Sequence, residues 1–331
     1  MNTPLVSIIT PCYNMAHCIG RLFDSVLAQD YSPLEYIVVN DGSTDSIEQV
    51  ISVYRPKFAE KGIRFVFYTQ QNQGLSGAIC AGLQQISGKY FIWPDADDYL
   101  EPQSISARVA LLEAHPEAAV VTGQAYLRDS DRLDTYKRIL RESNQTADKK
   151  VQFERMLNGD ALFCAGCHMV RTEMFFAVNP DRKIYEARRG QNWQMLLPLY
   201  YAYPRLFLDQ PVYNYLDFPN SMSGGDDTLE KQLLRYEEHE SILIATLEKI
   251  EATQNADLSN YRRFIIDKYA KARMEAAIDY NDASLFVDVY QRKKMGVGVD
   301  FLDYIAKMRN DCAALRKPLT FLYKVVRKCR G

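Results

Sequence analysis

Short apolar runs alternate with amphipathic stretches through the first hundred residues of the chain. Runs at 5–10, 34–39, 63–68 and 90–93 have the length and the β-branched or aromatic content of buried strands. Between them lie stretches with helical spacing, the first from about Met15 to Gln29. Strands that alternate with helices predict an α/β fold with a doubly wound, mainly parallel sheet, in which ligands bind at the carboxyl ends of the strands. The polar loops that follow the runs are therefore expected to meet at one edge.

The hydrophobic pattern changes near residue 226. Strand-like runs stop, and residues 229–250 and 261–278 carry apolar positions at helical spacing among many charges. We therefore expect an α/β domain over residues 1–225, with a nucleotide-binding half up to residue 115, and a helical C-terminal module over 226–331. The module ends in a basic amphipathic stretch, Arg316–Arg330. Such a stretch suits an anionic membrane surface, and it equally suits a solvated helix or one packed on its own domain or on a second subunit.

Three carboxylates follow the fourth apolar run within four positions, at Asp95, Asp97 and Asp98. Adjacent carboxylates at the end of a buried strand repel one another and are costly to desolvate unless a cation compensates them. Oxygen ligands favour Mg²⁺ or Mn²⁺, and a site with few protein ligands completes its shell with water and substrate phosphates. The cluster predicts a metal-bound nucleotide diphosphate. The alternative is a turn that caps the helix expected to begin near Pro102.

Three further loops carry polar and turn-forming motifs: Thr10-Pro11-Cys12-Tyr13-Asn14, Asn40-Asp41-Gly42-Ser43-Thr44-Asp45 and Asn72-Gln73-Gly74. Together with the aspartate cluster, their order and spacing resemble those of family 2 glycosyltransferases. The resemblance is strong over residues 4–115 and weak over 116–225, the half expected to bind the acceptor. It implies a GT-A fold and transfer of a sugar from a nucleotide diphosphate donor, with inversion at the anomeric carbon and with Mn²⁺ or Mg²⁺ as cofactor.

The resemblance assigns two groups of site residues. One group binds the nucleotide sugar, and the other, Asp97 and Asp98, binds the metal. Tyr13 would offer a face for base stacking, and Asp41 would accept hydrogen bonds from base or ribose. Asp97 would bind the metal directly, while Asp98 would be a second ligand, a support or a helix cap. Without the linked motifs, Tyr13 and Asp41 would suggest only a core edge and a tight turn. The nucleotide-sugar group comprises Thr10, Pro11, Tyr13, Asp41, Asn72, Gly74 and Asp95.

Two departures from the family pattern affect the diphosphate and the catalytic base. The family commonly continues the third loop into Ala-Arg-Asn, whereas this chain has Ala78-Ile79-Cys80, so an arginine is missing. The family also places an acidic Glu-Asp pair at the start of a helix on the acceptor side. The matching residues here are Gln191 and Asn192, and amides cannot act as bases.

Other residues near this helix are the substitute candidates for base and acceptor contacts. Glu186 is the first candidate base, with Asp181 behind it; the alternative for Glu186 is a solvated side chain paired with a neighbouring arginine. Gln191 and Asn192 could orient an acceptor sugar through hydrogen bonds. Trp193 could stack on a sugar face, although a helix aromatic among apolar residues is more often in the core.

Composition narrows the protein class. The net charge of −2 argues against nucleic-acid binding, and the chain has neither an apolar run of membrane-spanning length nor an N-terminal signal-type segment. We therefore expect a cytoplasmic protein, located at the inner face of the cell membrane if the basic tail binds lipid. Seven cysteines, an odd number, suit a reducing compartment. We expect Cys164 and Cys167 to be small buried residues of a strand rather than metal ligands.

The sequence thus predicts a metal-dependent glycosyltransferase, with a UDP-sugar as the favoured donor and a glycan or lipid-linked acceptor in bacterial surface polysaccharide synthesis. A nucleotidyltransferase is disfavoured because the first loop lacks a glycine-rich, basic triphosphate motif. A nicotinamide dehydrogenase is disfavoured because G-x-G-x-x-G is absent after the first strand. A catalytically silent nucleotide-sugar-binding subunit of a glycan-assembly complex stays open, given Ile79, Cys80, Gln191 and Asn192. Assembly into a homo-oligomer also stays open.

Overall fold

The structure, a computed structural model, describes residues 3–218, 227–312, 314 and 316–330. These residues form two compact units. The first unit contains the described residues up to 218 together with 252–255, and the second contains 227–251 and the described residues from 256 onward. The predicted division at residue 225 stays a prediction about domains, because compactness alone does not establish an independently folding domain.

The first unit is built on one mixed sheet. Its strands lie in the order β3-β2-β1-β4-β8-β6-β9-β5, and β7 pairs with β6. Strands β1 to β4 pair in parallel, as the sequence predicts, whereas β8 pairs antiparallel with both β4 and β6. The strands are β1 (Val6–Cys12), β2 (Leu34–Asn40), β3 (Arg64–Thr69), β4 (Tyr90–Ile92), β5 (Tyr99–Leu100), β6 (Val120–Asp129), β7 (Arg138–Leu140), β8 (His168–Arg171) and β9 (Arg205–Asp217).

Helices of the first unit connect and accompany these strands. They are α1 (Ile19–Leu27), α2 (Ile47–Glu60), α3 (Gly74–Gln85), α4 (Ser104–Ala114), α5 (Lys149–Asn158), α6 (Thr172–Val178) and α7 (Gln191–Ala202). All seven residues of β1 and of β2 are buried, which is why these strands have continuous apolar runs instead of an alternating pattern.

The core beside β2 is aromatic. Phe23 packs edge-on against Tyr36 with the ring centroids 5.7 Å apart, and Phe58 stacks on Phe65 at 4.6 Å. Near β1, α3 comes so close that a Cβ added at Gly82 would lie 2.4 Å from the Ile9 Cγ2. A glycine is needed there for contact between helix and strand. This contact fixes α3 against the centre of the sheet.

The pair Cys164 and Cys167 is buried, as the sequence predicts, but it does not lie in a strand. A 3-10 turn, Ala165–Cys167, precedes β8 at this point. The expectation of a strand was wrong because the Arg108 guanidinium draws the turn inward by donating to the Gly166 carbonyl at 2.9 Å. Sequence proximity gave no sign of this contact.

The second unit is helical, which confirms the predicted helical C-terminal region. Its buried side chains include Met274, Phe286 and Ile305, and its buried Lys293 pairs with Asp303 at 2.5 Å. Among the described residues, no helix has the length and apolar character needed to cross a membrane. The helices are most of α8 (Leu229–Gln254), α9 (Ser259–Asp279), α10 (Ala283–Gly296), α11 (Phe301–Asp311) and α12 (Arg316–Arg330).

Candidate active site

The loops after β1 and β2 are joined by hydrogen bonds at the carboxyl edge of the sheet. Asn14 has a positive φ of 56°, and its backbone N–H donates to the Ser43 Oγ at 2.9 Å. Its side-chain oxygen accepts from the Thr44 N–H at 2.8 Å. Asp45 accepts from the Ala16 N–H at 2.8 Å. The two loops therefore form one continuous wall, although they come from different parts of the sequence.

Asp41 connects this wall to the third loop. Its side chain is buried, and Oδ1 accepts hydrogen bonds from the Gln70 side chain at 2.7 Å and the Gln73 N–H at 2.8 Å. Gly42 has a positive φ of 74°, and a Cβ there would lie 2.9 Å from the Asn72 nitrogen. Only glycine allows this approach. Within the described residues Oδ2 of Asp41 accepts no comparable bond, so it is the oxygen available to a ligand.

The first loop presents one exposed side chain among the residues predicted to bind the nucleotide. Tyr13 is 47% exposed, whereas Thr10 and Pro11 are buried. The Thr10 hydroxyl donates to the Pro94 carbonyl at 3.3 Å and accepts from the Tyr36 hydroxyl at 3.1 Å. Thr10 thus ties β1 to the segment that carries the aspartates, and a direct ligand contact from its side chain has no geometric support.

The third loop ends where α3 begins. The exposed Asn72 accepts the Gly74 N–H at 3.1 Å, and Gly74 has a positive φ of 74° with open space beside it. At Gly77, by contrast, a Cβ would lie 2.4 Å from that of Gln73, so packing excludes a larger residue. Ile79, which occupies the position of the missing arginine, is buried. What this loop offers an anion is the N-terminal end of α3.

The aspartate cluster forms a turn beneath these loops. The Asp95 N–H donates to the Tyr213 hydroxyl at 3.0 Å, and the Asp98 N–H donates to the Asp95 carbonyl at 3.4 Å. Asp98 is buried, and its Oδ1 accepts from the Leu216 N–H at 2.8 Å. Its Oδ2 is also buried and has no hydrogen bond of regular geometry within the described part of the chain. A side-chain interaction with the Tyr213 hydroxyl lowers the pKa of this carboxyl against the larger effect of burial, and a cation or a ligand that reached Oδ2 would compensate its charge further.

The three carboxylates repel one another. Burial raises the pKa of Asp95 to about 7, with a further contribution from the charge of Asp97. Burial also raises the pKa of Asp97, and it raises that of Asp98 well above its usual range, where both neighbouring aspartates add to the effect. A divalent cation would relieve this repulsion.

The carboxylate oxygens of Asp97 and Asp98 fit Mg²⁺ or Mn²⁺ as part of a ligand shell. Asp97 is partly exposed, and together with Oδ2 of Asp98 it offers hard oxygen ligands. In the described ranges no group of three or more His, Cys, Asp or Glu side chains is placed to hold a metal ion. The chain would therefore supply one or two ligands, and phosphate and water would supply the rest.

Positive charge near Asp97 comes from outside the motifs. His17 and Arg21 both lower the pKa of Asp97, against the dominant effect of burial. The Nη1 atom of Arg21 is buried without a hydrogen-bond partner among the described residues. Sequence analysis missed both residues, because neither belongs to a family motif. Their position in and just before α1 could have been found only from the fold.

A segment between α6 and α7 lies along one face of α3. The Ser76 hydroxyl donates to the Ala187 carbonyl at 2.7 Å and accepts from the Ala187 N–H at 3.3 Å. One turn further along, the Cys80 thiol donates to the Ile184 carbonyl at 3.7 Å and accepts from the Ile184 N–H at 3.3 Å. We call residues 181–187 the strap. Ser76 and Cys80 thus pair with its backbone as a neighbouring strand would.

A third contact between α3 and the strap shows that the two candidate bases, Glu186 and Asp181, lie near different ends of α3. The Gln84 side chain donates to the carbonyls of Asp181 at 3.5 Å and Arg182 at 3.3 Å. Gln84 lies eight residues after Ser76, about 12 Å along a helix. The exposed Glu186 precedes Ala187, which is bonded to the first turn of α3, whereas the exposed Asp181 lies near the other end of α3. The geometry favours Glu186 over Asp181 as a residue of the site.

Helix α7 holds the strap from the other side and buries two residues predicted to bind the acceptor. The Gln194 side chain pairs with the backbone of Tyr185. Asn192 is buried, where it accepts from the Trp93 indole N–H at 3.1 Å and donates to a main-chain carbonyl. Trp193 is 7% exposed and lies in the core. Internal partners thus occupy Asn192 and Trp193, and Gln191 is the partly exposed member of the predicted trio.

A buried histidine behind the aspartates was also missed. His168 stacks on Trp93 with the ring centroids 6.0 Å apart, and its nitrogens contact the Thr122 hydroxyl at 3.0 Å and the Leu162 carbonyl at 3.2 Å. Burial, with a smaller effect from the Arg205 charge, lowers the pKa of His168 to about 3. The ring is therefore neutral, and no local pattern signalled its position.

Comparison with known proteins places these features in a family context. A family model described as Glycosyl transferase family 2 matches residues 7–177, about half of the chain. Glycosyltransferase GlyA of Streptococcus pneumoniae is 27% identical over 183 residues, which cover 55% of this chain and 24% of GlyA. An uncharacterized glycosyltransferase of Rickettsia prowazekii is 38% identical over 110 residues, 33% of this chain and 32% of the relative. The chain thus spans a third or less of these relatives' own length.

A longer match and two solved structures extend the comparison. The uncharacterized glycosyltransferase EpsJ of Bacillus subtilis is 28% identical over 241 residues, 69% of this chain and 67% of EpsJ. TarS of S. aureus, solved with UDP-GlcNAc, has a TM-score of 0.55 and 17% identity, with coverage of 86% of this chain and 89% of TarS. Mannosyltransferase PcManGT of Pyrobaculum calidifontis, solved with GDP-Man and Mn²⁺, has a TM-score of 0.52 and 14% identity, with coverage of 98% and 84%. These neighbours confirm the predicted α/β fold of GT-A type.

Proposed function

Because the chain belongs to glycosyl transferase family 2, we propose that it transfers a sugar from a nucleotide diphosphate donor to an acceptor hydroxyl, with inversion at the anomeric carbon. One observation carries this proposal. Hydrogen bonds join three loops at the carboxyl edge of the sheet, and Thr10 ties the first of them to the segment that carries three buried or partly buried aspartates. Such an edge is where α/β sheets bind nucleotides.

We assign the donor's nucleoside to the wall formed by the first two loops. The exposed ring of Tyr13 stacks on the base, and Oδ2 of Asp41 accepts a hydrogen bond from base or ribose. The diphosphate lies near Asn72 and Gly74, where the N-terminus of α3 favours negative charge. Asp95 contacts the ribose or the sugar. UDP is the favoured nucleotide, and TarS, a fold neighbour solved with UDP-GlcNAc, supports this choice.

Asp97 and Asp98 are the residues that would hold Mn²⁺ or Mg²⁺. When bound, the ion supplies charge stabilisation to the departing diphosphate, which needs no proton transfer. Asp97 is the direct ligand because it is partly exposed, while the buried Asp98 is a second ligand or a support. The raised pKa values of the cluster and the presence of Mn²⁺ in the PcManGT structure support this assignment.

Glu186 is the proposed base for the acceptor. Inversion requires a group that accepts the proton of the acceptor hydroxyl while that oxygen attacks the anomeric carbon. Glu186 is exposed next to Ala187, which the Ser76 hydroxyl holds at the first turn of α3. Its carboxylate takes the role that the amides of Gln191 and Asn192 cannot take.

The acceptor is proposed to be a glycan or a lipid-linked sugar in bacterial surface polysaccharide synthesis, met at the cytoplasmic face of the cell membrane. The bacterial origin of the relatives and the basic character of α12 support this placement. The alternative function is a catalytically silent nucleotide-sugar-binding subunit. The amides at Gln191 and Asn192 favour that alternative, because the usual acidic pair is absent.

Calorimetric titration of UDP with and without Mn²⁺ tests the donor site. The expected result is metal-dependent binding that Asp97→Asn abolishes, while Asp134→Asn, an exposed aspartate outside the site, leaves it unchanged. Absence of UDP binding under every condition would exclude the UDP-dependent transferase. Slow hydrolysis of a UDP-sugar without acceptor then separates the two functions, because a silent subunit binds the donor and leaves it intact.

A further inference from the structure

Charge is distributed unevenly along the second unit. Residues 227–315 carry 16 acidic and 13 basic side chains, whereas 316–330 carry six basic and no acidic ones. Lys317 and Lys324, two of these basic residues, are exposed. One helix of an otherwise slightly acidic unit is therefore purely cationic. Such segregation attracts an anionic surface.

The same helix exposes apolar side chains. Phe321, Leu322 and Val325 are between 41% and 72% exposed, while Tyr323 is buried with the Arg309 guanidinium 5.1 Å above its ring. Tyr323 thus fixes which face of α12 turns toward α11. Since 321 and 325 are one helical turn apart, their side chains share the opposite, outward face. The outward face is apolar and has lysines beside it.

The neighbouring helix α11 repeats this feature. Phe301, Tyr304 and Met308 follow one another at i, i+3 and i+7, and each is at least half exposed. The buried side chains of α11 include Leu302 and Ile305. Two adjacent helices therefore both present aromatic and aliphatic residues outward. We call the six exposed residues of α11 and α12 the apolar ridge: Phe301, Tyr304, Met308, Phe321, Leu322 and Val325.

We propose that the apolar ridge and the lysines of α12 bind the surface of a bilayer that contains anionic phospholipid. An amphipathic helix with a cationic flank lies in the plane of the membrane, with its apolar face among the acyl chains and its cations at the headgroups. The absence of acidic residues from 316–330 matches such a surface. This inference deepens the proposed function by locating the enzyme beside a lipid-linked acceptor, and it rests on different residues from those of the donor site.

Co-sedimentation of the full chain with vesicles tests the inference. Wild type is expected to bind phosphatidylcholine vesicles that contain phosphatidylglycerol, to release at high salt, and to bind poorly to phosphatidylcholine alone. The double variant Lys317→Glu/Lys324→Glu should bind more than tenfold less at low salt, because both charges become repulsive. Phe321→Ser/Leu322→Ser should also reduce binding at low salt, since it removes apolar insertion while both lysines stay in place.

Matched variants in the first unit serve as controls. Val53→Ser and Lys61→Glu change an exposed apolar and an exposed basic residue on or next to α2, and both should bind vesicles like wild type. Equal binding to neutral vesicles, or unchanged binding by both α12 variants, would overturn the inference. So would absence of vesicle binding combined with self-association that Phe321→Ser dissolves, which would assign the ridge to a second copy of the chain. UDP titration of the same samples reports separately on the donor site.

Discussion

A neutral histidine behind the aspartates makes the protein sensitive to acid. The pKa of His168 is about 3 in the folded chain, because burial and the Arg205 charge oppose its protonation, and about 6.5 when unfolded. The unfolded chain therefore binds the proton first as the pH falls. The stability that the neutral ring provides is complete above about pH 6.5 and is lost progressively toward pH 3.

Replacing His168 should remove this loss of stability at low pH. Between pH 7 and pH 5 the unfolding free energy of wild type is expected to fall by about 2 kcal/mol more than that of His168→Gln. Denaturant titration at each pH measures the difference, and contributions of the aspartates cancel because both proteins contain them. Parallel curves for the two proteins would contradict a depressed pKa for His168. The partly exposed His115 provides a control variant, His115→Gln, that leaves the buried ring of His168 in place.

Two acidic residues of the strap, Glu186 and Asp181, allow a matched test of the proposed catalytic base. Glu186→Gln should lower kcat for transfer about 100-fold, the usual contribution of a general base, while UDP affinity stays unchanged. Asp181→Asn, at the other end of the same strap, should keep nearly full activity. Steady-state transfer assays with UDP titration separate the two variants. Equal losses in both would remove Glu186 from the role of base and point to a general effect on the strap.

At the scale of elements, α3 depends on close packing at one glycine. Gly82→Ala places a methyl group 2.4 Å from the Ile9 Cγ2. The free energy of unfolding of this variant should therefore be about 1–3 kcal/mol lower than that of wild type. Gly296→Ala is the control, because no atom lies within 4 Å of the added Cβ and its φ is not positive. That change should be neutral or stabilising. Thermal or denaturant unfolding measures both, and equal effects would show that the approach of α3 to β1 is not tight.

Cys80 is expected to position the strap through its two contacts with Ile184. Cys80→Ser keeps a donor and an acceptor and should stay close to wild type, whereas Cys80→Val leaves the Ile184 N–H and carbonyl without these partners. The valine variant should lose roughly tenfold in kcat/KM for the acceptor, with UDP affinity unchanged. Failure of serine to restore activity, or a parallel loss of UDP binding, would indicate a general packing role. Cys312→Val, in the second unit, is the control.

The elements that the sequence predicted well are those whose signal is local. β1, β2 and β4 are buried on both faces, so each appears as a continuous apolar run that ends in a polar loop. β9 was not predicted, since its pairing with β6 joins segments about 85 residues apart and its buried and partly exposed positions follow no regular alternation. The same limit applies to the site. Tyr13 and Asp41 stand in motifs, whereas the fold alone brings Tyr213 to the Asp95 N–H and His168 to the ring of Trp93.

At the scale of the whole molecule, two compact units with separate cores should unfold in two calorimetric steps. UDP with Mn²⁺ should stabilise only the first unit and so raise the temperature of its transition alone. The free energy of unfolding should increase by about 2.7 kcal/mol at a ligand concentration one hundred times Kd. Ile305→Ala, in the core of the second unit, should lower only the other transition. Scanning calorimetry of both samples tests this assignment, and a single transition that responds to both changes would contradict it.

The contacts between α3 and the strap also set a limit on chain length. Successive anchors are four residues apart on α3, a rise of about 6 Å, but only two or three apart on the strap, which an extended chain would span in about 7–10 Å. The strap is thus slightly contracted, and its residue count is matched to the pitch of the helix. Deleting Tyr185, one of the two residues between Ile184 and Ala187, would pull Glu186 out of place without removing its carboxylate. A chain of this fold can vary in length after Ala187, whereas a change of length before Ala187 moves the proposed base, Glu186.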